Sequence, residues 1–254
     1  MTLIAEIDTM VEQAINGPDQ PEPSGVDALF ARLDAMIEGT WAHVAATSDF
    51  WRHATTEGVS PELYRDLMVQ VFHYTRFNSM NQAMTVVQAR PDQRALLRFA
   101  YRHADEELGH EMLVVHDLRA IGLIDRTDDL TTFPKAPATD ALVNYLAGLA
   151  MTEGAVARLG YSYWAEDVYG HIAPLLAAVQ QSLQLTERQM TFFVAHSDID
   201  EAHGAEVRRV ITKVARTPED HEAIFRVAET SLWLTTQLME QTFARWQAKA
   251  GAVG

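Results

Sequence analysis

The chain has 254 residues, 48 % of them hydrophobic and 22 % charged, which suits one globular domain with a large core. A formal net charge of −15 argues against nucleic acid or anionic lipid as a partner. The absence of cysteine excludes disulfides, thiolate ligands and thiol nucleophiles.

No apolar run approaches the length of a membrane span. The opening residues lack the basic and continuous apolar regions of a signal peptide, so a cytoplasmic location is expected. Residues 1–25 carry a short helical pattern followed by GPDQPEPSG, whose prolines block further helix; they read as an N-terminal extension to a helical domain over 26–250. From Val26 to about Thr47, Leu29, Phe30, Leu33, Ile37 and Trp41 recur at helical spacing. Ser60-Pro61-Glu62 is a helix start, with a cap residue, a proline in the first turn and an acid at the positive end. That helix is expected to reach Arg90, and the next to run from Pro91 to Ile121 with Gly122 behind it.

A loop over 123–138 follows. Thr139 opens a helix expected to continue to Gly170, kinked near Gly154 or Gly160. Pro174–Leu185, Thr186–Arg216 and Thr217–Ala248 complete the pattern. No segment alternates with a period of two, so the fold class is all-α: a single-domain bundle of seven to eight helices.

Two of these helices share a pattern. His103-x3-Glu107-x2-His110 lies in YRHADEELGHEM, and His196-x3-Asp200-x2-His203 lies in VAHSDIDEAHGAE. Positions i, i+4 and i+7 share one face of a continuous helix, so each copy aims two imidazoles and a carboxylate in one direction. One such triplet reads as a solvated polar face. Two, each among apolar neighbours, read as a metal site of nitrogen and oxygen donors, suited to iron or manganese and less specifically to zinc.

Further residues invite attention. Glu153 interrupts a run of small and apolar residues, VNYLAGLAMTEGAVARLG, and is either exposed at a bend or aimed at a cation; the cation is favoured. His73, one helix before the first triplet, is a ligand, a donor to one, or a satisfied core histidine. Tyr74 and Tyr145 are candidates for a substrate pocket, and Arg76 and Arg158 for holding a substrate carboxylate.

The stretch HADEELGHEMLVVHDLRAIG, the lone Glu153 and the later His-Asp-His triplet together resemble the haem-oxygenase-like iron-containing redox proteins, also called haem-oxygenase-like di-metal oxidases. The resemblance covers roughly residues 60–210. It implies a compact haem-oxygenase-like bundle without haem, holding two Fe(II) ions, with Mn as the alternative metal and O2 as co-substrate. It also implies ligands at Glu107, His110, Glu153, His196, Asp200 and His203, with His103 and His73 as further candidates. Glu106 adjoins Glu107 and competes for the acid position of its helix.

Such proteins oxidise amino acids, amines or aliphatic acids in biosynthesis, so the expected partner is a small molecule, with a homodimer left open. Two alternatives stand beside this reading. One is a cofactor-independent enzyme on the same scaffold, of the thiaminase or pyrroloquinoline-quinone-synthase type. The other is a non-catalytic helical metal- or ligand-binding protein. A haem oxygenase with His43 as axial ligand would leave both triplets without a role.

Overall fold

The structure is a computed structural model. It describes residues 25–252 together with Ala5 and Thr9, and leaves out the side chains of residues 198–202. Nearly all of the expected N-terminal extension and the side chain of Asp200 therefore lie outside the described residues.

Ser48, Ser60 and Thr217 supply the local start signals. Ser48 and Ser60 accept the backbone N–H three residues on. Thr217 and Asp220 cap one another reciprocally, with Pro218 in the first turn. These caps fix α1 (Val26–Thr47), α2 (Asp49–Thr56), α3 (Pro61–Thr75) and, at the far end, α11 (Pro218–Gly251). Between them run α4 (Asn78–Met84), α5 (Arg94–Glu106), α6 (Glu111–Ala120), α7 (Pro137–Thr152), α8 (Ala155–Ala165), α9 (Val168–Leu183) and α10 (Thr191–Val214). No strand occurs among the described residues.

The all-helical expectation holds, but the count of seven to eight is too low, because three expected helices are broken and α2 was not expected. The 61–90 span divides at Arg76-Phe77 into α3, α4 and a 3-10 turn over Thr85–Gln88. The 91–121 span divides at residues 107–110, and the 139–170 span at Glu153-Gly154. In the other direction, α9 starts earlier than Pro174, which lies inside the helix and forgoes a single ladder bond.

The long α11 packs along α8, α7, α1 and α3. Its closest approach is to α8, and Gly160 makes that approach feasible: a Cβ there would lie 2.1 Å from the Ile224 carbonyl oxygen. Gly160 is thus a packing residue rather than a kink. Ala157 through Trp164 are buried without interruption, so α8 is the central helix and its C-terminal end falls inside the protein.

The apolar stripe of α1, Leu29, Leu33, Ile37 and Trp41, is buried as its spacing requires, while Phe30 is only half-buried and stacks on Tyr163.

Candidate metal centre

The first triplet does not lie on a continuous helix. α5 ends at Glu106, and Glu107 to Gly109 form a turn in which Gly109 adopts φ +90°, a conformation that costs glycine nothing. His110 then precedes α6. Leu108, at the outside of the turn, is exposed. The break rotates the later residues off the face that the i, i+4, i+7 spacing assigns them. His103 and Glu107 are both buried but turn to different neighbours.

The second triplet lies on one unbroken helix, α10. Its start is fixed by Asp117 of α6, a fully buried carboxylate that accepts from Thr191 Oγ1 at 2.6 Å and from Phe192 N at 2.9 Å. An acid at the N-terminal turn is where the helix dipole favours one. His196 and His203 are two turns apart, so they reach different partners.

Two groups of donors result. Glu107, His110 and His196 form one; His103, Glu166 and His203 form the other, each with its ligand atoms within 4.8 Å of one another. Each group takes one residue from the later triplet, and the earlier triplet is divided between them. His110 Nδ1 stands 3.1 Å from His196 Nε2 and 3.6 Å from Glu107 Oε2. Glu166 joins His103 Nε2 at 2.9 Å to His203 Nδ1 at 3.3 Å.

Glu106 points outward, against Arg102 and at 3.6 Å from His203, so Glu107 is the acid that turns inward.

Glu166 went unnoticed in the sequence because, next to Asp167 in WAEDVYG, it reads as the solvated end of a helix. The signal was the helix before it: Ala155–Ala165 is apolar or small on nearly every face, so the residue that follows it emerges inside the molecule. Glu153 was expected in this place. The structure puts it instead at the Gly154 bend, with its carboxylate on Arg226 and its side chain 36 % exposed. It belongs to neither donor group.

His73 is a satisfied core histidine, 2.9 Å from the Phe133 carbonyl oxygen. Arg76 stacks over Phe72 and Phe77, and Arg158 is fully buried. Neither arginine lines the cavity described below, nor does Tyr145, whereas Tyr74 does.

The electrostatics of the two groups are matched. Glu107 and Glu166 cap the C-terminal ends of α5 and α8, where helix dipoles disfavour negative charge. Burial pushes both carboxyls up. The His110, His103 and Asn78 contacts outweigh this for Glu107, and His103 and His203 do so for Glu166, leaving each at about 2. Glu107 in turn raises His110, and Glu166 raises His203, each against burial. Burial lowers His196.

Beside Glu107, Glu166 and His196 opens a cavity of about 170 Å³. Its other walls are mostly apolar: Trp41, Phe50, Met68, Leu175, Val179 and Leu238, with Tyr74 and Tyr161 among the polar-tipped residues. Among the described residues no lysine or arginine lines it.

The family model described as iron-containing redox enzyme matches residues 65–236. The chain belongs to that family. A solved structure from Shewanella denitrificans, described as a domain of unknown function with a haem-oxygenase-like fold, shares 36 % identity over 86 % of this chain and 93 % of its own, with TM-score 0.81. The fold of this family member is therefore haem-oxygenase-like.

A TenA homologue from Pseudomonas syringae pv. tomato (16 % identity, 88 % of this chain and 94 % of its own, TM-score 0.68) shares the fold. So does a TenA homologue from P. horikoshii (14 %, 85 % and 98 %, TM-score 0.66). No curated protein matches the chain.

The residues present fit the iron of the family name. His196 Nδ1 lies 2.6 Å from the Phe192 carbonyl oxygen, which can only accept, so Nδ1 carries the proton and the Nε2 lone pair faces the group. His103 Nδ1 is buried without a hydrogen-bond partner. All donors are imidazole or carboxylate, the set that suits non-haem iron and manganese.

Proposed function

We propose that the protein is a non-haem iron oxidoreductase that uses O2 to oxidise a small molecule with an apolar body, its metal centre being dinuclear. The observation that carries this reading is the sharing of one cavity by two partly buried His/Glu groups: Glu107 and His196 of one and Glu166 of the other face the same apolar space.

Glu107, His110 and His196 would hold one ion, and His103, Glu166 and His203 the other, with Asp200 on the same helix as an additional carboxylate. Iron bound there supplies the electrons and the coordination positions at which O2 is activated. The chain supplies the rest. The helix C-termini and ionised carboxylates attract the cations, Asp117 holds α10 in register, and the aromatic and aliphatic walls exclude water from the reacting carbon.

Among amino acids, amines and aliphatic acids, the cavity favours a substrate with an extended hydrocarbon portion, since no basic side chain lines it to receive an anionic group away from the metals. An aliphatic acid would present its carboxylate to the metal centre itself. No helix among the described residues is long and apolar enough to cross a membrane, and we infer that the protein works in the cytoplasm.

The test is anaerobic loading with Fe(II), metal analysis, then O2 consumption with and without a series of aliphatic acids and amines. The reading expects about two irons per chain and substrate-dependent O2 uptake. A folded protein that takes up no iron would sink it.

A further inference from the structure

Arg158 is fully buried on the central helix, yet among the described residues no carboxylate pairs with it directly. Its guanidinium donates to Ser162 Oγ at 3.1 Å and to Asn78 Oδ1 at 2.7 Å, lies 4.1 Å over the Tyr161 ring, and leaves Nε without a partner. A buried cation so placed is costly unless negative charge lies close by.

The negative charge is one amide away. Asn78 Nδ2 donates to Glu107 Oε2 at 2.8 Å. An arginine has only donors, so it takes the oxygen end of the Asn78 amide and forces the nitrogen end toward Glu107. The order guanidinium, amide, carboxylate thus has one allowed direction. It joins three elements: α8 through Arg158, the start of α4 through Asn78, and the turn after α5 through Glu107.

We propose that Asn78 and Arg158 are positioning residues that hold Glu107 in its metal-binding orientation, with the Arg158 charge serving as fixed counter-ion to the Glu107–Glu166 pair. The proposal rests on the metal-centre reading above. The shortest hydrogen bond of Arg158 goes to Asn78, whose other amide end holds the candidate ligand Glu107. Neither residue is itself a donor: Asn78 touches Glu107, and Arg158 acts on it through Asn78.

The experiment uses the full chain, metal-free, titrated with Co(II), whose visible absorption reports the ligand geometry without turnover. The variants are Asn78→Ala and Arg158→Lys. Groups that orient a metal ligand typically contribute ten- to a hundredfold in affinity. Asn78→Ala should weaken Co(II) binding by about that factor and alter the Co(II) band. It also orphans an Arg158 N–H, so the metal-free protein loses stability as well, and the binding and spectral changes are the readout that a merely structural role would not move. Arg158→Lys keeps a charged donor for Asn78 Oδ1 and should lose less.

An Asn78→Ala protein with the parent's Kd and spectrum overturns the proposal, as does one whose metal-free stability falls while Co(II) binding stays unchanged. A folded parent that binds no Co(II) overturns the metal reading itself, a result distinct from either.

Discussion

His196 Nε2 faces His110 Nδ1 across 3.1 Å, one residue on α10 and the other at the start of α6. Because His196 Nδ1 is committed to the Phe192 carbonyl, the facing Nε2 offers a lone pair. In the metal-free protein His110 answers with a proton, which its neighbour Glu107 helps to retain. A cation between the two rings would replace that proton. The relationship ties metal binding to the packing of α10 on α6, and the first prediction follows from it.

Removing one imidazole leaves the other without the second nitrogen that a shared cation needs. His196→Ala should lose about half or more of the bound iron, and the metal-free variant should keep its helical circular dichroism, since alanine suits a helix interior even though the ring's contacts with Phe192 and Tyr169 are lost. Iron content equal to the parent's, measured after anaerobic loading and desalting, would remove His196 from the centre.

The two acids Glu153 and Glu166 offer a direct contrast. Glu166→Gln should reduce metal content sharply, because its two oxygens serve both His103 and His203. Glu153→Gln should leave iron binding unchanged and cost at most about 1 kcal/mol in urea unfolding, the usual scale for a partly exposed pair such as Glu153–Arg226. The reverse pattern would restore Glu153 as the ligand.

Asp117 holds α10 through two charge-assisted hydrogen bonds in a fully buried place. Asp117→Ala should destabilise the metal-free protein by about 3 kcal/mol, since it orphans the Phe192 N–H and the Thr191 hydroxyl together. Asp117→Asn keeps an acceptor and should recover part of that loss. Unfolding midpoints within experimental error of the parent for Asp117→Ala would show that α10 needs no such anchor.

The pH dependence of the metal-free protein has a definite sign. Glu107 and Glu166 sit at about 2, below the ordinary value of 4.5, so the stability they add is full above that value and falls away as pH drops toward 2. His110 and His203 are raised above 6.5, so their contribution is full below 6.5 and disappears as pH climbs through their folded values. These four groups therefore favour a stability maximum between about pH 4.5 and 6.5. Glu107→Gln should flatten the acid limb in chemical denaturation measured across pH; an acid limb as steep as the parent's would contradict the assignment.

The sequence by itself determined the helical class, the caps at Ser60 and Thr217, the buried stripe of α1 and the donor types, imidazole and carboxylate, of the candidate centre. Those features depend on residue type and short-range spacing, and short-range spacing is what helical geometry makes legible. His103, Glu107, His110, His196 and His203 were visible because they recur at helical intervals.

Only the tertiary structure decided how they group. A single positive φ at Gly109 ends the helix that the spacing assumed and sends His103 and Glu107 to different neighbours. It also exchanged one acid for another. Glu153 looked isolated among apolar residues, but its helix ends there beside the surface and Arg226. Glu166 looked solvated, but its helix runs through the centre of the molecule and ends inside. Whether a carboxylate faces water or a cluster of imidazoles depends on where its helix terminates in three dimensions, and that is set by packing against α11 and α10, distant in the chain.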